Sequence, residues 1–285
     1  SYRRIACSQG PDSGIAQGPV VVGTISRHVS ARFVKKLFKL LLCASLLSCG
    51  DENIPVAYRN SEAKTSDGLY ISWKEHLIDG LDISGIALSG SDGLVMGDLD
   101  LDGYLDIVSV HEADTDTVFH GSPRGHIRIA FGSDKPNVWD HVSLAEGIEA
   151  SAAEDVAIGD MNQDGWPDIL AACELAHLIY FQNPGKAIRT SRWERVIPAL
   201  TQNRGSFIRV FCADFNEDGQ MEVTAPNKGS HHPSLSDPDL YPISWFEITG
   251  NPLEGDNWTE HVLTQVTIPD NASPVDLDGD GDLDI

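Results

Sequence analysis

The nine residues Asp98-Leu99-Asp100-Leu101-Asp102-Gly103-Tyr104-Leu105-Asp106 recur, with small changes, three more times in this chain. The copies are Asp160-Met161-Asn162-Gln163-Asp164-Gly165-Trp166-Pro167-Asp168, Asp214-Phe215-Asn216-Glu217-Asp218-Gly219-Gln220-Met221-Glu222 and Asp276-Leu277-Asp278-Gly279-Asp280-Gly281-Asp282-Leu283-Asp284, set 54 to 62 residues apart. Each carries oxygen side chains at positions 1, 3, 5 and 9 and glycine at position 6. A hard cation such as Ca²⁺ takes roughly six to eight oxygens, and alternate carboxylates on a tight loop supply them. Glycine gives the positive φ that folds such a loop back on itself. One acidic Asp/Gly turn would say little; four in register define a repeat.

An EF-hand is excluded. That loop needs a bidentate Glu at position 12 between two helices. Position 12 here is Ser109, Ala171 and Ala225. The flanks, Leu94-Val95-Met96-Gly97 before the first loop and Leu105 to Val110 after it, have strand length and no helical period. The acidic loop is therefore expected to join two antiparallel strands. Two more landmarks recur between loops. One is a Phe-centred run (Ile127 to Phe131, Leu178 to Pro184, Ile243 to Glu247). The other is a Trp run starting at Trp73, Trp139, Trp193 and Trp258. Strand, acidic loop, strand, Phe strand and Trp strand make a four-stranded unit of about 60 residues, which predicts an all-β fold, a β-propeller of four-stranded blades. A parallel β-helix, the alternative, has shorter repeats and denser glycine.

The Gly-Asp-x-(Asp/Asn)-x-Asp-Gly-x-x-Asp pattern resembles the FG-GAP/VCBS repeats of integrin α-chain propellers and of many secreted bacterial proteins. Phe181-Gln182-Asn183-Pro184-Gly185 followed by Trp193 is similar to the bacterial branch. The resemblance spans about 70–285. It implies Ca²⁺ held through positions 1, 3, 5 and 9 and the carbonyl of position 7. By position these are Asp98, Asp100, Asp102, Tyr104 and Asp106; Asp160, Asn162, Asp164, Trp166 and Asp168; Asp214, Asn216, Asp218, Gln220 and Glu222; Asp276, Asp278, Asp280, Asp282 and Asp284. Asn162 and Asn216 remove a charge, and Glu222 lengthens the ninth ligand, so weaker binding is expected in those two loops. Ala213 also stands where Gly97 and Gly159 precede the first two loops.

Blade boundaries are expected near 93–145, 155–199 and 207–265, with a fourth blade starting near 272. Propellers close with roughly four to eight blades, so the expectation is a truncated arc of about three complete blades plus part of a fourth, over 69–285. Trp73 to Ile78 is expected to be an outer strand of a further blade. Val34-Lys35-Lys36 followed by a short apolar stretch to Cys49 has the form of a bacterial secretory signal, too short for a membrane span. Leu46-Leu47-Ser48-Cys49 resembles a lipobox, which implies lipidation at Cys49, a signal at 34–48 and a tether at 49–68. No Met precedes Met96, and 1–33 is expected to be upstream, non-native translation. The implied address is the bacterial cell envelope, with membrane association through the lipid alone.

Against 20 basic residues the chain has 43 acidic ones, a net charge of −23, which argues against nucleic-acid binding. Five cysteines give no disulfide framework, and Cys173 and Cys212 are expected as free thiols. No nucleophile elbow, phosphate loop or zinc spacing occurs. Insertions after the second strand carry His111, Glu112, His120 and His126 in the first blade and Lys228, His231 and His232 in the third; Glu174 and His177 hold the matching place in the second. The plain reading makes them polar loop residues; the sharper one makes them proton-transfer groups of a carbohydrate-active lyase or dehydratase on the face opposite the acidic loops. His76, His141 and His261 recur beside the Trp runs and are expected to be structural. The favoured function is calcium-dependent binding of a protein or polysaccharide on that opposite face.

Overall fold

A computed structural model of the chain describes residues 58–113, 125–190, 192–236 and 239–285. The leader at 1–33, the signal at 34–48, Cys49 and His120 lie outside the described residues. Three antiparallel four-stranded sheets follow one another, each in sequence order. Blade 1 holds β3 (Ser91–Gly97), β4 (Asp106–His111), β5 (His126–Phe131) and β6 (Asp140–Glu146). Blade 2 holds β7 (Ala153–Gly159), β8 (Asp168–Cys173), β9 (Leu178–Gln182) and β10 (Glu194–Val196). Blade 3 holds β11 (Phe211–Ala213), β12 (Glu222–Pro226), β13 (Tyr241–Ile248) and β14 (Trp258–Val266). A lone bridge between Val275 and Asp284 frames the fourth acidic loop. Each complete loop closes a hairpin whose last pair is Gly97 with Asp106, Gly159 with Asp168, or Ala213 with Glu222.

One expectation is corrected. Residues 58–64, read as tether, form β1 (Tyr58–Lys64), which pairs antiparallel with β2 (Tyr70–Lys74). Polar composition hid this strand because neither face of Tyr-Arg-Asn-Ser-Glu-Ala-Lys carries an apolar period. The Trp73 segment is thus one arm of a two-stranded hairpin. A short helix, α1 (Leu81–Ser84), follows it, and among the described residues no helix is long and apolar enough to cross a membrane.

The core lies between blades. Strand β8 shows why: all six of its residues are buried. Ile169, Ala171 and Cys173 pack toward blade 1, while Leu170 and Ala172 pack toward blade 3. A strand covered on both faces needs no polar alternation, which accounts for the continuous apolar run. Inner strands approach closely. A Cβ on Gly93 would sit 2.6 Å from the Asp155 Cα, and one on Gly159 2.6 Å from the Met221 sulfur. Trp193 and Trp258 are buried and donate their indole N–H to Ile188 and Pro252 carbonyls. Cys173 and Cys212 are free, and burial pushes both thiols up to about 12.

Candidate metal centre

The four acidic loops share one hydrogen-bond scheme. The carboxylate at position 1 accepts the N–H of position 6: Gly103 to Asp98, Gly165 to Asp160 and Gly219 to Asp214 at 2.9 Å, and Gly281 to Asp276 at 3.2 Å. The carboxylate at position 5 accepts the N–H of position 7, from Tyr104, Trp166, Gln220 and Asp282. Glycine at position 6 has φ between 87° and 104° in every copy. Position 4 is also left-handed, at Leu101, Gln163, Glu217 and Gly279. Only the fourth copy places glycine there, so this second turn residue left almost no trace in the sequence.

Position 9 is the clamp of each loop. Asp106 and Asp168 are fully buried. One oxygen of Asp106 accepts Leu99 N–H at 2.9 Å and the other accepts Gly132 N–H at 2.8 Å, which ties the loop to the end of β5. Asp168 repeats this with Met161 and Asn183 and also accepts the Tyr180 hydroxyl at 2.7 Å. Burial pushes both carboxyls up to about 6. Glu222, the longer ninth residue, still reaches Phe215 N–H at 2.8 Å and also takes Asn216 Nδ2 at 3.3 Å.

Three of the loops gather carboxylates tightly enough to hold an ion. Asp98, Asp100 and Asp106 each offer an oxygen within 4.8 Å of the others, as do Asp214, Asp218 and Glu222, and Asp276, Asp278 and Asp284. These donors are all oxygen, the set a hard divalent cation takes. In the first loop Asp100 Oδ1 is buried and meets no hydrogen-bond donor, on a side chain only 10 % exposed. A buried carboxylate oxygen without a donor is costly unless a cation serves it. The residues therefore fit a calcium-type ion. In the second loop Asn162 occupies the place of the acid and instead bonds Asp164 through both ends of its amide. Asp102 and Asp280 stand outside the tight clusters, although both belong to the expected ligand set.

At the other end of the blades a second polar centre forms. Glu174, 2 % exposed, follows β8; it pairs with Lys228 Nζ and with His231 Nε2 at 3.1 Å, both from blade 3. Glu154, at the start of β7, hydrogen-bonds Glu174. Burial, then the charge of Glu174, then that of Asp92 push the Glu154 carboxyl up to about 8. The expected Glu174, Lys228 and His231 thus come together, while Glu154, Asp92 and Arg209 were missed, because isolated charges at strand ends carry no pattern. His111 and His177 are structural instead. His111 bonds Ser91 and Ser109, His177 bonds the Glu149 carbonyl, and burial lowers the pKa of both. His141 and His261 also pack structurally, on the Ile78 carbonyl and on Glu247 and Trp245.

Residues 98–171, and again 160–225, match the family model for FG-GAP-like repeats. That stretch contains the first three acidic loops, and the match supports the FG-GAP family for it. No curated protein matches the chain.

Proposed function

We propose that this chain is a calcium-stabilised propeller of the cell envelope that binds a protein or polysaccharide on the face opposite its acidic loops. The observation that carries the calcium assignment is the set of all-oxygen clusters in register, with Asp100 Oδ1 buried and unserved in one of them. Asp98, Asp100 and Asp106, with their counterparts, would hold the ion, which would neutralise like charges that repel at each hairpin. The binding role is supported by the family match. It is also supported by a groove of about 560 Å³ at the opposite end, between Ile148, Leu175, His177, Ile197 and Asn203. Anchorage through Cys49 remains part of the proposal, and fractionation of a Cys49→Ser variant tests it: unchanged membrane association would remove the lipid anchor.

The test of the calcium reading is thermal unfolding of the full chain with a chelator and then with rising Ca²⁺ or Mg²⁺. An ion bound only by the folded state raises Tm with its concentration. Ca²⁺ is expected to act well below Mg²⁺, which gives up its water reluctantly. Equal responses to the two ions, or none at millimolar Ca²⁺, would end this assignment.

A second reading draws on the Glu154–Glu174 pair. A protonated carboxyl beside a carboxylate, with Lys228 and His231 at hand, is the equipment of proton transfer. A uronate-cleaving activity, seen as ultraviolet absorbance of an unsaturated product and lost in Glu174→Gln, would move the assignment from binding to lyase chemistry.

A further inference from the structure

The β9–β10 connection places an arginine on the neighbouring blade's acidic loop. Ile188 is buried in the core between blades 1 and 2, and its carbonyl takes the Trp193 indole N–H. With Ile188 pinned, the next side chain must run along the rim. The Arg189 guanidinium lies 4.7 Å from the Phe131 ring centre. Its Nη1 pairs with Asp140 at 2.7 Å, and its Nη2 pairs with Asp100 Oδ2 at 2.7 Å and lies 3.7 Å from Asp102. Nearby, Asn183 Nδ2 donates to the Leu99 carbonyl at 3.1 Å, so the same connection grips the loop twice.

Internal comparison gives this contact its meaning. The first loop has aspartate at all of positions 1, 3, 5 and 9; the second has Asn162 at position 3. Among the described residues no ion pair reaches the second loop. The corresponding β13–β14 connection carries Glu254 and Asp256 and no arginine. Arg189 therefore cancels the one carboxylate by which the first loop exceeds the second.

The geometry points to Arg189 as an intramolecular stand-in for the cation: it offsets the charge of Asp100 when no ion is present and lowers the first loop's affinity when one arrives. This rests on the calcium reading above. Arg189 is a positioning residue, bonding Asp100 through Oδ2 while Oδ1 stays without a donor. One consequence is that the first loop, despite its extra charge, binds no more tightly than the loops with asparagine. Another is that ion binding there is linked to the seam between blades 1 and 2.

The experiment is a site-resolved Ca²⁺ titration of the full chain by two-dimensional NMR, following the amides of Gly103, Gly165 and Gly219. Each donates to the first carboxylate of its own loop. In Arg189→Gln, Gly103 is expected to titrate at on the order of tenfold lower Ca²⁺ at low salt, with the gap narrowing as salt rises. Gly165 and Gly219 should not change, and Tm in chelator should fall. The double variant Asp100→Asn with Arg189→Gln, which copies the second loop's charge, should return Gly103 toward its original midpoint. If Gly103 in Arg189→Gln titrates at the same or higher Ca²⁺, the stand-in role is overturned while the calcium reading survives. If no glycine amide responds to Ca²⁺ in the unaltered chain, the calcium reading falls and takes this inference with it.

Discussion

Carboxylates at the two ends of the blades are held by different kinds of partner. At the acidic loops, Asp98, Asp160 and Asp214 are met by backbone N–H groups of their own loops. At the opposite end, Glu174 is met by side chains: Lys228 and His231 from the next blade and Glu154 from its own. Backbone donors come with the turn, so any stretch with the right spacing rebuilds the arrangement. Side-chain partners come only with the assembled blades. A repeated site should respond alike wherever it is cut, whereas a site made of insertions should respond in its own way.

The sharpest check of the repeated end is the ninth position. Asp168→Ala would leave Met161 N–H, Asn183 N–H and the Tyr180 hydroxyl without their acceptor inside the core. Unsatisfied buried donors cost about 1–3 kcal/mol each before relaxation, so a loss of about 3 kcal/mol is expected in urea unfolding with chelator present. Asp106→Ala should lose somewhat less, because it strands two donors. Asp164→Ala, on an exposed residue, should cost under about 0.5 kcal/mol without metal. If Asp164→Ala without metal proved as costly as Asp168→Ala, the ninth residue would not be the clamp.

At the unique end the expected effect is smaller and depends on pH. Glu154 faces Glu174 and Asp92, with Glu112 and Arg209 nearby, while Lys228 and His231 pair with Glu174. Its carboxyl is raised from 4.5 to about 8 in the folded chain. Below pH 4.5 both folded and unfolded chains hold the proton. Between 4.5 and 8 the folded chain keeps a proton that the unfolded one has lost, so stability falls as pH rises through that window and then levels. Glu154→Gln removes this slope. Allowing for solvent screening at this partly buried site, the variant should gain about 1–2 kcal/mol over the unaltered chain at pH 8, and nothing at pH 4. Parallel unfolding curves at both pH values would remove Glu154 from the acid pair.

The same contrast explains what could be read from the letters alone. Loop hairpins, their strand partners and the Phe and Trp strands were legible because oxygen spacing, glycine and alternation are local. Lys228 and Glu174 each read as polar loop residues, but their pairing spans 54 positions and depends on how blade 3 lies on blade 2. Arg189 had no signal of its own; it reaches Asp100 because Ile188 beside it is buried. Strand β1 lacks an apolar face to announce it, and Glu154 is an isolated charge at a strand end with no pattern around it.

The gentlest test concerns position 4, where local reading failed even though the feature is repeated. Leu101 has φ 57° and is 53 % exposed, so its side chain meets the strain of the left-handed region without a burial gain to offset it. That conformation costs an L-residue about 1–2 kcal/mol, and glycine avoids it while losing somewhat more backbone entropy on folding. Leu101→Gly should therefore stabilise the chain by about 0.5–1 kcal/mol, a rise of a few degrees in Tm at this size. Gln163→Gly relieves the same strain at φ 58° but forfeits the Gln163 side-chain hydrogen bond to the Gly219 carbonyl, 2.7 Å long, that joins the second and third loops. Its net effect should be near zero. A loss of stability in Leu101→Gly, measured in chelator, would mean that the left-handed turn at position 4 is not strained and that Leu101 contributes something its exposure does not reveal. A matching gain in Gln163→Gly would instead show that the bridge between neighbouring loops carries no weight, leaving each acidic hairpin to stand on its own backbone.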